Sequence, residues 1–153
     1  MGTGLPVPQI VRRVAGSYTP VCQRPPPPLF HESQAVRAGE IVFLSGQLAA
    51  DQDGLAATAR RNPHYPYALN NPHQQMHRIM ENAQAICRAA GTDLRHALRM
   101  LSMYTDLGEF AYAAQARGNY FPDGEPTTTT IGVSAPLQVP GCTIAADFWV
   151  GMP

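Results

Sequence analysis

Residues 73–91, HQQMHRIMENAQAICRAAG, carry the strongest periodic pattern in this sequence. Apolar side chains recur there at steps of three and four residues, which is the spacing of one face of an α-helix. They are Met76, Ile79, Met80, Ala83, Ile86, Cys87 and Ala90. Gly91 follows as a helix C-cap, because glycine readily adopts the left-handed backbone that ends many helices. The sequence therefore predicts a helix over His73–Ala90 whose apolar stripe packs against a β-sheet.

Short runs rich in β-forming residues lie on both sides of this helix and supply the predicted strands. They are Ile41–Leu44, Leu98–Tyr104, Thr127–Val133 and Thr143–Val150. A second helical period runs over Leu107–Tyr120 and ends before Pro122. The order β, loop, α, β, α, β, β predicts an α+β fold in which two helices pack on one face of a mixed sheet.

The length of 153 residues predicts a single domain. Residues 1–29 are rich in Pro and Gly and predict an extended N-terminal arm, with room for one strand between Ile10 and Cys22. Residues 30–153 form the predicted domain. Within it, residues 49–73 lack a sustained period and carry Asp-Gly, Asn-Pro and Tyr-Pro pairs, which predicts a long loop. That loop is either a lid over a site or an insertion without function.

Composition excludes several classes of function. The 11 basic residues are all arginine, so lysine Schiff-base chemistry, a pyridoxal phosphate anchor and a P-loop lysine are excluded. Eleven acidic residues bring the net charge to zero, and the arginines are scattered, which argues against nucleic-acid binding. No apolar stretch is long enough to span a membrane. We therefore expect no nucleic-acid partner, no membrane partner and no cofactor.

The cysteines and histidines give weak signals for chemistry. The three cysteines are widely spaced without a CxxC pair, and no early apolar segment suggests export, so we expect a reduced, cytoplasmic protein. Cys87 falls on the apolar helix stripe, which favours a core role. His73 and His77 are four residues apart and could bind a metal with His64 as a third ligand. Because the glutamate of an HExxH motif is missing, we predict no metal site.

Six short motifs occur in an order that matches one protein family. They are Ser33-Gln34-Ala35-Val36 with Ala38-Gly39, Leu44-Ser45-Gly46-Gln47, Asn82, Ala90-Gly91, Tyr104-Thr105-Asp106 with Phe110, and Tyr120-Phe121 before Pro126. Over about residues 25–150 the chain resembles the RidA/YjgF family of enamine and imine deaminases. The resemblance implies a chorismate-mutase-like α+β subunit, a homotrimer, and three small-molecule clefts between the subunits.

The resemblance also implies a candidate site that departs from the family pattern. Counted from Pro126, Thr128 stands where active deaminases have the arginine that binds the substrate carboxylate. A threonine cannot replace that bidentate charge, and the loss weakens carboxylate binding on the order of 10³-fold. Asp147 stands at the position of the glutamate that positions water, and Glu32 replaces a tyrosine of the cleft. A second carboxylate in the cleft favours a neutral or cationic ligand over an anion.

The remaining candidate residues are assigned by their position in the family. The predicted catalytic residues are Asp147, Glu32 and His31, and the predicted ligand-binding residues are Ser45, Gly46, Gln47, Tyr104, Thr128, Thr130 and Trp149. Strand alternation puts Thr128 and Thr130 on one side of their strand and Thr127 and Thr129 on the other. The alternative for Thr128 and Thr130 is that they are ordinary β-forming residues. Tyr104 lines the ligand or belongs to the core.

These observations predict an enzyme that works by acid/base or water-mediated chemistry on an imine, enamine or related reactive intermediate in specialised or catabolic metabolism. Deamination, tautomerisation, dehydration and cyclisation all use the same acid and base groups. The missing arginine argues against the standard 2-aminoacrylate deaminase. One alternative is a non-catalytic binding or regulatory protein. Another is RNA cleavage, against which the neutral charge argues.

Overall fold

A computed structural model describes residues 9–11, 33–60, 64, 70–134 and 136–153. Strands β1 (Gln9–Val11), β2 (Ala35–Ala38), β3 (Ile41–Leu44), β4 (Gln47–Leu48), β5 (Ala50–Asp51) and β6 (Gly54–Leu55) precede helix α1 (Asn70–Ala89). Strand β7 (Ala97–Tyr104), helix α2 (Phe110–Gln115) and strands β8 (Thr127–Gly132) and β9 (Ile144–Gly151) follow. The predicted α+β plan is confirmed.

The main sheet has the order β1-β2-β3-β9-β7-β8, with β4 also paired to β9. The pair β7 and β8 is parallel, and the other pairs of this sheet are antiparallel, so the sheet is mixed as predicted. Strands β5 and β6 form a separate two-stranded hairpin. Strand β1 lies inside the predicted N-terminal arm but pairs with β2 of the domain. Residues 1–8 and 12–32 lie outside the described residues.

Helix α1 buries the apolar stripe that its sequence predicts, with Met76, Ile79, Met80, Ala83, Ile86 and Cys87 in the core. The helix begins at Asn70, three residues before the predicted start. Pro72 lies in its first turn, where proline is tolerated because the N–H groups there have no helical partner. Gly91 has φ +84°, as its predicted role at the end of the helix requires.

Two predictions about local structure were wrong. The predicted second helix, Leu107–Tyr120, is a 3-10 turn at Leu107–Glu109 followed by the six residues of α2, and its chain turns over residues 116–120. The predicted loop over 49–73 begins instead with the β5–β6 hairpin and a 3-10 turn at Ala57–Ala59. Ala49, Ala50, Ala56 and Ala59 of this segment are buried, and alanine gives almost no hydrophobic period to read from sequence. Residues 61–63 and 65–69 lie outside the described part of the chain.

The sheet has two unlike faces. On the side that we call the helix face, Met100, Ser102 and Tyr104 of β7 are buried in the core with α1. The other side, which we call the open face, carries the alternate residues Phe43, Arg99, Leu101, Met103, Asp147 and Trp149. Trp149 is 40% exposed there, and neither helix of the described residues covers it.

A buried glutamine fixes the chain as it enters β9. Gln75 of α1 donates to the carbonyl of Gly141 at 3.0 Å and accepts from the N–H of Thr143 at 2.8 Å. Gly141 has φ +87°, and a Cβ there would lie 2.9 Å from Cδ2 of Leu55. Both the backbone conformation and the close approach therefore require glycine.

Replacing Gly141 by alanine is expected to lower the free energy of unfolding by about 1–3 kcal/mol through backbone strain. The contact with Leu55 adds about 1 kcal/mol, because the leucine must leave its preferred rotamer. Urea unfolding of Gly141→Ala and Gly124→Ala separates the two effects, since Gly124 has φ +125° but open space around it. Equal losses in the two variants contradict a contribution from Leu55.

Candidate functional site

Asp147 is the half-buried carboxylate of the open face. It lies on β9 opposite Leu101 of β7, between Ala146 and Phe148, which are both buried. Burial raises the pKa of Asp147, while the positive charge of Arg99 and a hydrogen bond from the backbone of Leu101 oppose that rise. A carboxyl group whose pKa lies above its ordinary value is suited to proton transfer or to orienting water.

A bulge in the sheet lies beside Asp147. Phe43 of β3 pairs with Trp149, but Gln47 of β4 pairs with Ala146, so the register moves by one residue opposite Asp147. The extra residue belongs to the predicted Ser45-Gly46-Gln47 turn. Bulges of this kind often lie next to functional sites because they redirect the chain locally. The structure therefore brings the predicted turn and the predicted catalytic Asp147 together.

Hydrogen bonds hold this turn in place. The hydroxyl of Ser45 donates to the carbonyl of Ser33 at 2.6 Å, and the amide of Gln47 donates to the carbonyl of Ser45 at 2.8 Å. Asn82 of α1 donates to the carbonyls of Leu48 and Ala50, each at 3.1 Å. Gly46 is exposed and has open space where a side chain would be. The side chains of Ser45 and Gln47 are thus hydrogen-bonded to backbone carbonyls, whereas the backbone at Gly46 is exposed and accessible.

Thr128 and Thr130 lie on the helix face, because their register partners on β7 are the buried Met100 and Ser102. This agrees with the alternation predicted from sequence. The hydroxyls of Thr130 and Ser102 are 3.1 Å apart, and the hydroxyl of Thr128 donates to the carbonyl of Pro126 at 3.0 Å. Asp147 is on the opposite face, so one chain does not bring it together with the two threonines.

The two predicted aromatic residues, Tyr104 and Trp149, also lie on opposite faces of the sheet. Tyr104 is fully buried on the helix face and stacks edge-on against Phe110 at 6.0 Å between ring centroids. Trp149 lies on the open face, edge-on to Phe43 at 5.3 Å. The guanidinium of Arg99 is 5.0 Å from the Trp149 ring centroid, within the range of a cation–π interaction. Trp149 and Asp147 therefore share a face with Arg99.

Arg99 and Arg117 are the two charged residues that sequence reasoning did not single out. Arg99 interrupts a largely apolar run in β7, and this interruption is a signal that could have found it. Arg117 lies within the helix predicted over Leu107–Tyr120, where a charged side chain is usually exposed. It is instead buried, because the helix ends at Gln115 and the chain turns inward.

The structure says less about the remaining predicted groups, which are His31, Glu32, the candidate metal ligands and Cys87. His31 and Glu32 lie outside the described residues. Among the described residues no three His, Cys, Asp or Glu side chains are grouped as metal ligands, and no helix is long and apolar enough to cross a membrane. Burial raises the pKa of Cys87 to about 12, which keeps the thiol neutral. This agrees with a core role for Cys87.

Comparisons with known proteins match this fold and sequence. The family model described as Endoribonuclease L-PSP matches residues 23–144. DfrA of Myxococcus xanthus is 35% identical over 105 residues, which cover 67% of this chain and 72% of that protein. The RutC family protein y4sK of Sinorhizobium fredii is 35% identical over 103 residues, which cover 67% of this chain and 74% of that protein.

A solved structure gives the same result. RidA from the Antarctic bacterium Psychrobacter has a TM-score of 0.68 at 25% identity, over 84% of this chain and 94% of that one. The mixed sheet, the helices on one face and the motif order define a RidA-type α+β subunit. The chain belongs to the RidA/YjgF family, as its motifs implied.

Proposed function

We propose that the chain is an enzyme that acts on an imine, enamine or related reactive small molecule, with Asp147 positioning water or moving a proton. The observation that carries this proposal is a half-buried carboxylate with a raised pKa beside the Ser45–Gly46 bulge. Hydrolysis of an imine needs a group that orients water toward the carbon and accepts its proton. Tautomerisation, dehydration and cyclisation need the same proton transfers, so the reaction class is broader than deamination.

The proposed assembly is a homotrimer with the ligand clefts between subunits. The open face exposes Trp149 at 40%, and the ring of Phe43 on the neighbouring strand packs edge-on against it. Exposed apolar patches of this kind are typical of protein–protein contacts. Thr128 and Asp147 lie on opposite faces of one sheet, so a ligand between them needs the Asp147 of a second copy. Both observations support self-association through the open face.

The proposed substrate differs from 2-aminoacrylate and its imine. Thr128 offers only a neutral hydroxyl, which already donates to the carbonyl of Pro126. The bidentate ion pair that an arginine forms with a carboxylate is therefore missing at this position. The same observation favours the second candidate, a small-molecule binding or regulatory protein without catalysis.

The experiment that tests the proposed function compares hydrolysis of 2-iminopropionate by the wild type and by Thr128→Arg. The wild type is expected to be nearly inactive, and Thr128→Arg should raise kcat/KM on the order of 10³-fold by restoring the carboxylate contact. Thr127→Arg is the matched control, since its side chain points to the other side of β8. Light scattering measures the oligomeric state of every variant.

The other outcomes each have a definite meaning. Hydrolysis by the wild type contradicts the inference drawn from the missing arginine. If neither protein hydrolyses the imine while both remain trimeric, the non-catalytic alternative is favoured.

A further inference from the structure

The described strands of the main sheet carry three charged side chains, which are Arg37, Arg99 and Asp147. Arg37 shares a register row with the buried Val42 and pairs with Glu40 at 3.8 Å, so it belongs to the rows of the helix face. Arg99 and Asp147 lie on the open face. Among the described strands, Arg99 is therefore the one cation that shares a face with Asp147.

A bulge in β7 puts Arg99 on the open face. Between Ala97 and Arg99, β7 uses one residue more than its partner β9. With regular pairing, Arg99 would lie opposite the buried Phe148 instead of opposite Trp149. The extra residue, Leu98, therefore keeps the guanidinium out of the core and turns it toward the open face.

The ring of Trp149 holds the Arg99 guanidinium at this position. Cζ of Arg99 lies 5.0 Å from the Trp149 ring centroid, and the Trp149 ring packs edge-on against Phe43 at 5.3 Å. No ion pair among the described residues involves Arg99, so this ring contact is what limits where its charge can lie. A planar guanidinium stacks on an aromatic face better than the ammonium of a lysine does.

Arg99 and Asp147 are diagonal neighbours on the sheet. Arg99 lies opposite Trp149, and Asp147, two residues before Trp149 on β9, lies opposite Leu101. Diagonal neighbours are about 7–8 Å apart along the backbone, which long side chains can span. Burial raises the pKa of Asp147 and the charge of Arg99 lowers it, in agreement with this spacing. The charge of Arg99 thus acts on Asp147 from a place that the Trp149 ring sets.

We propose that Trp149 is a positioning residue, which acts on Asp147 by holding the Arg99 guanidinium beside it. The inference rests on the proposed function, because it takes Asp147 as the group that positions water or moves a proton. An ionised carboxylate accepts a proton from water, whereas the protonated acid does not. Trp149 therefore extends the activity of Asp147 to lower pH without touching the reacting atoms. This role differs from the ligand contact that the sequence predicts for Trp149.

The titration of Asp147 tests this role without an enzymatic assay. Aspartate in the full-length protein is labelled with ¹³C at Cγ, and Asp147→Asn identifies the Asp147 signal by its loss. Trp149→Leu keeps an apolar side chain on the open face but removes the ring. We expect it to move the midpoint of the Asp147 titration to higher pH, as Arg99→Met does, because the released guanidinium turns into solvent. The exposed Asp123 is the internal control, and its signal should follow the same curve in every variant.

A double variant separates this effect from changes in burial or in self-association. In the Arg99→Met protein no charge is left for Trp149 to hold, so adding Trp149→Leu should not raise the midpoint further. A loss of burial or of subunit contacts acts in both backgrounds and cancels in the comparison. Trp149→Phe keeps a ring that makes a weaker cation–π contact, and its midpoint should lie between those of the wild type and Trp149→Leu.

An equal shift on replacing Trp149 with and without Arg99 overturns the proposal, because the ring then acts through burial alone. A midpoint that Trp149→Leu leaves in place or lowers overturns it as well.

The pH profile of imine hydrolysis gives a second readout. In the Thr128→Arg protein, Trp149→Leu should lower kcat/KM several-fold on the acidic limb and less at higher pH. If no variant hydrolyses the imine, the proposed function fails while the titration still decides the role of Trp149. The two failures are therefore distinguishable.

Discussion

Asp147→Asn is expected to lower the turnover of 2-iminopropionate by about 10²–10⁴-fold when it is introduced into the Thr128→Arg protein. The amide keeps the shape of the side chain but cannot accept a proton from water. Burial disfavours the charged form of Asp147, so the neutral amide should leave thermal stability unchanged or raise it. Steady-state kinetics together with thermal unfolding therefore separates lost chemistry from lost structure.

The matched control is Asp123→Asn, which removes an exposed carboxylate from the turn before β8 and should leave turnover unchanged. The pH profile gives a second readout. Turnover should fall as the pH drops through the raised pKa of Asp147, because the protonated acid no longer accepts a proton. Arg99→Met removes the charge that lowers this pKa and should move the acidic limb to higher pH. Full activity of Asp147→Asn contradicts the proposed role.

Phe148→Ala is expected to lower the free energy of unfolding by about 3–5 kcal/mol, a large part of the stability of a small domain. Phe148 is fully buried on the helix face and lies opposite Met100. Removing its ring leaves a cavity, because the close-packed side chains around it cannot move far enough to fill the space. Urea unfolding at a fixed protein concentration measures the loss.

Trp149→Ala is the comparison that makes this result informative, because Trp149 is the next residue of β9 and points to the open face. Within one subunit, Trp149→Ala should lower the free energy of unfolding less than Phe148→Ala does, because the Trp149 ring is 40% exposed. Its effect should instead fall on self-association, measured by light scattering over a dilution series. If Trp149→Ala leaves the proposed trimer intact at all concentrations, Trp149 lies outside the subunit contact.

The elements that sequence reasoning found are those with a local signal. Helix α1 repeats its apolar residues over about three turns, from Met76 to Cys87, and β3, β7 and β9 are dense in β-forming residues, so both length and period identify them. The position of Asp147 followed from its place in the family motif. These features depend on residues that are close together in the sequence.

The missed features depend on contacts between distant residues. The burial of Arg117 follows from the early end of α2 and from Phe110 and Met100 below it, which no periodicity reports. The register of β8 on β7 and of β7 on β9 puts Thr128 and Asp147 on opposite faces of one sheet, so the predicted cleft can hold both only between two subunits. Register is a tertiary property that a single sequence specifies only through packing.

The position of β9 in the centre of the main sheet bears on how the chain folds. It pairs with β3 and β4 from one half of the sequence and with β7 from the other. The unit of β7, α2 and β8 is local and can form early, because its loop closures are short. Strand β3 of the β2–β3 hairpin can pair with β9 only after the far end of the chain has reached it. Such long-range closure is slow. Until it is complete, the edges of both halves stay unpaired and open to intermolecular pairing.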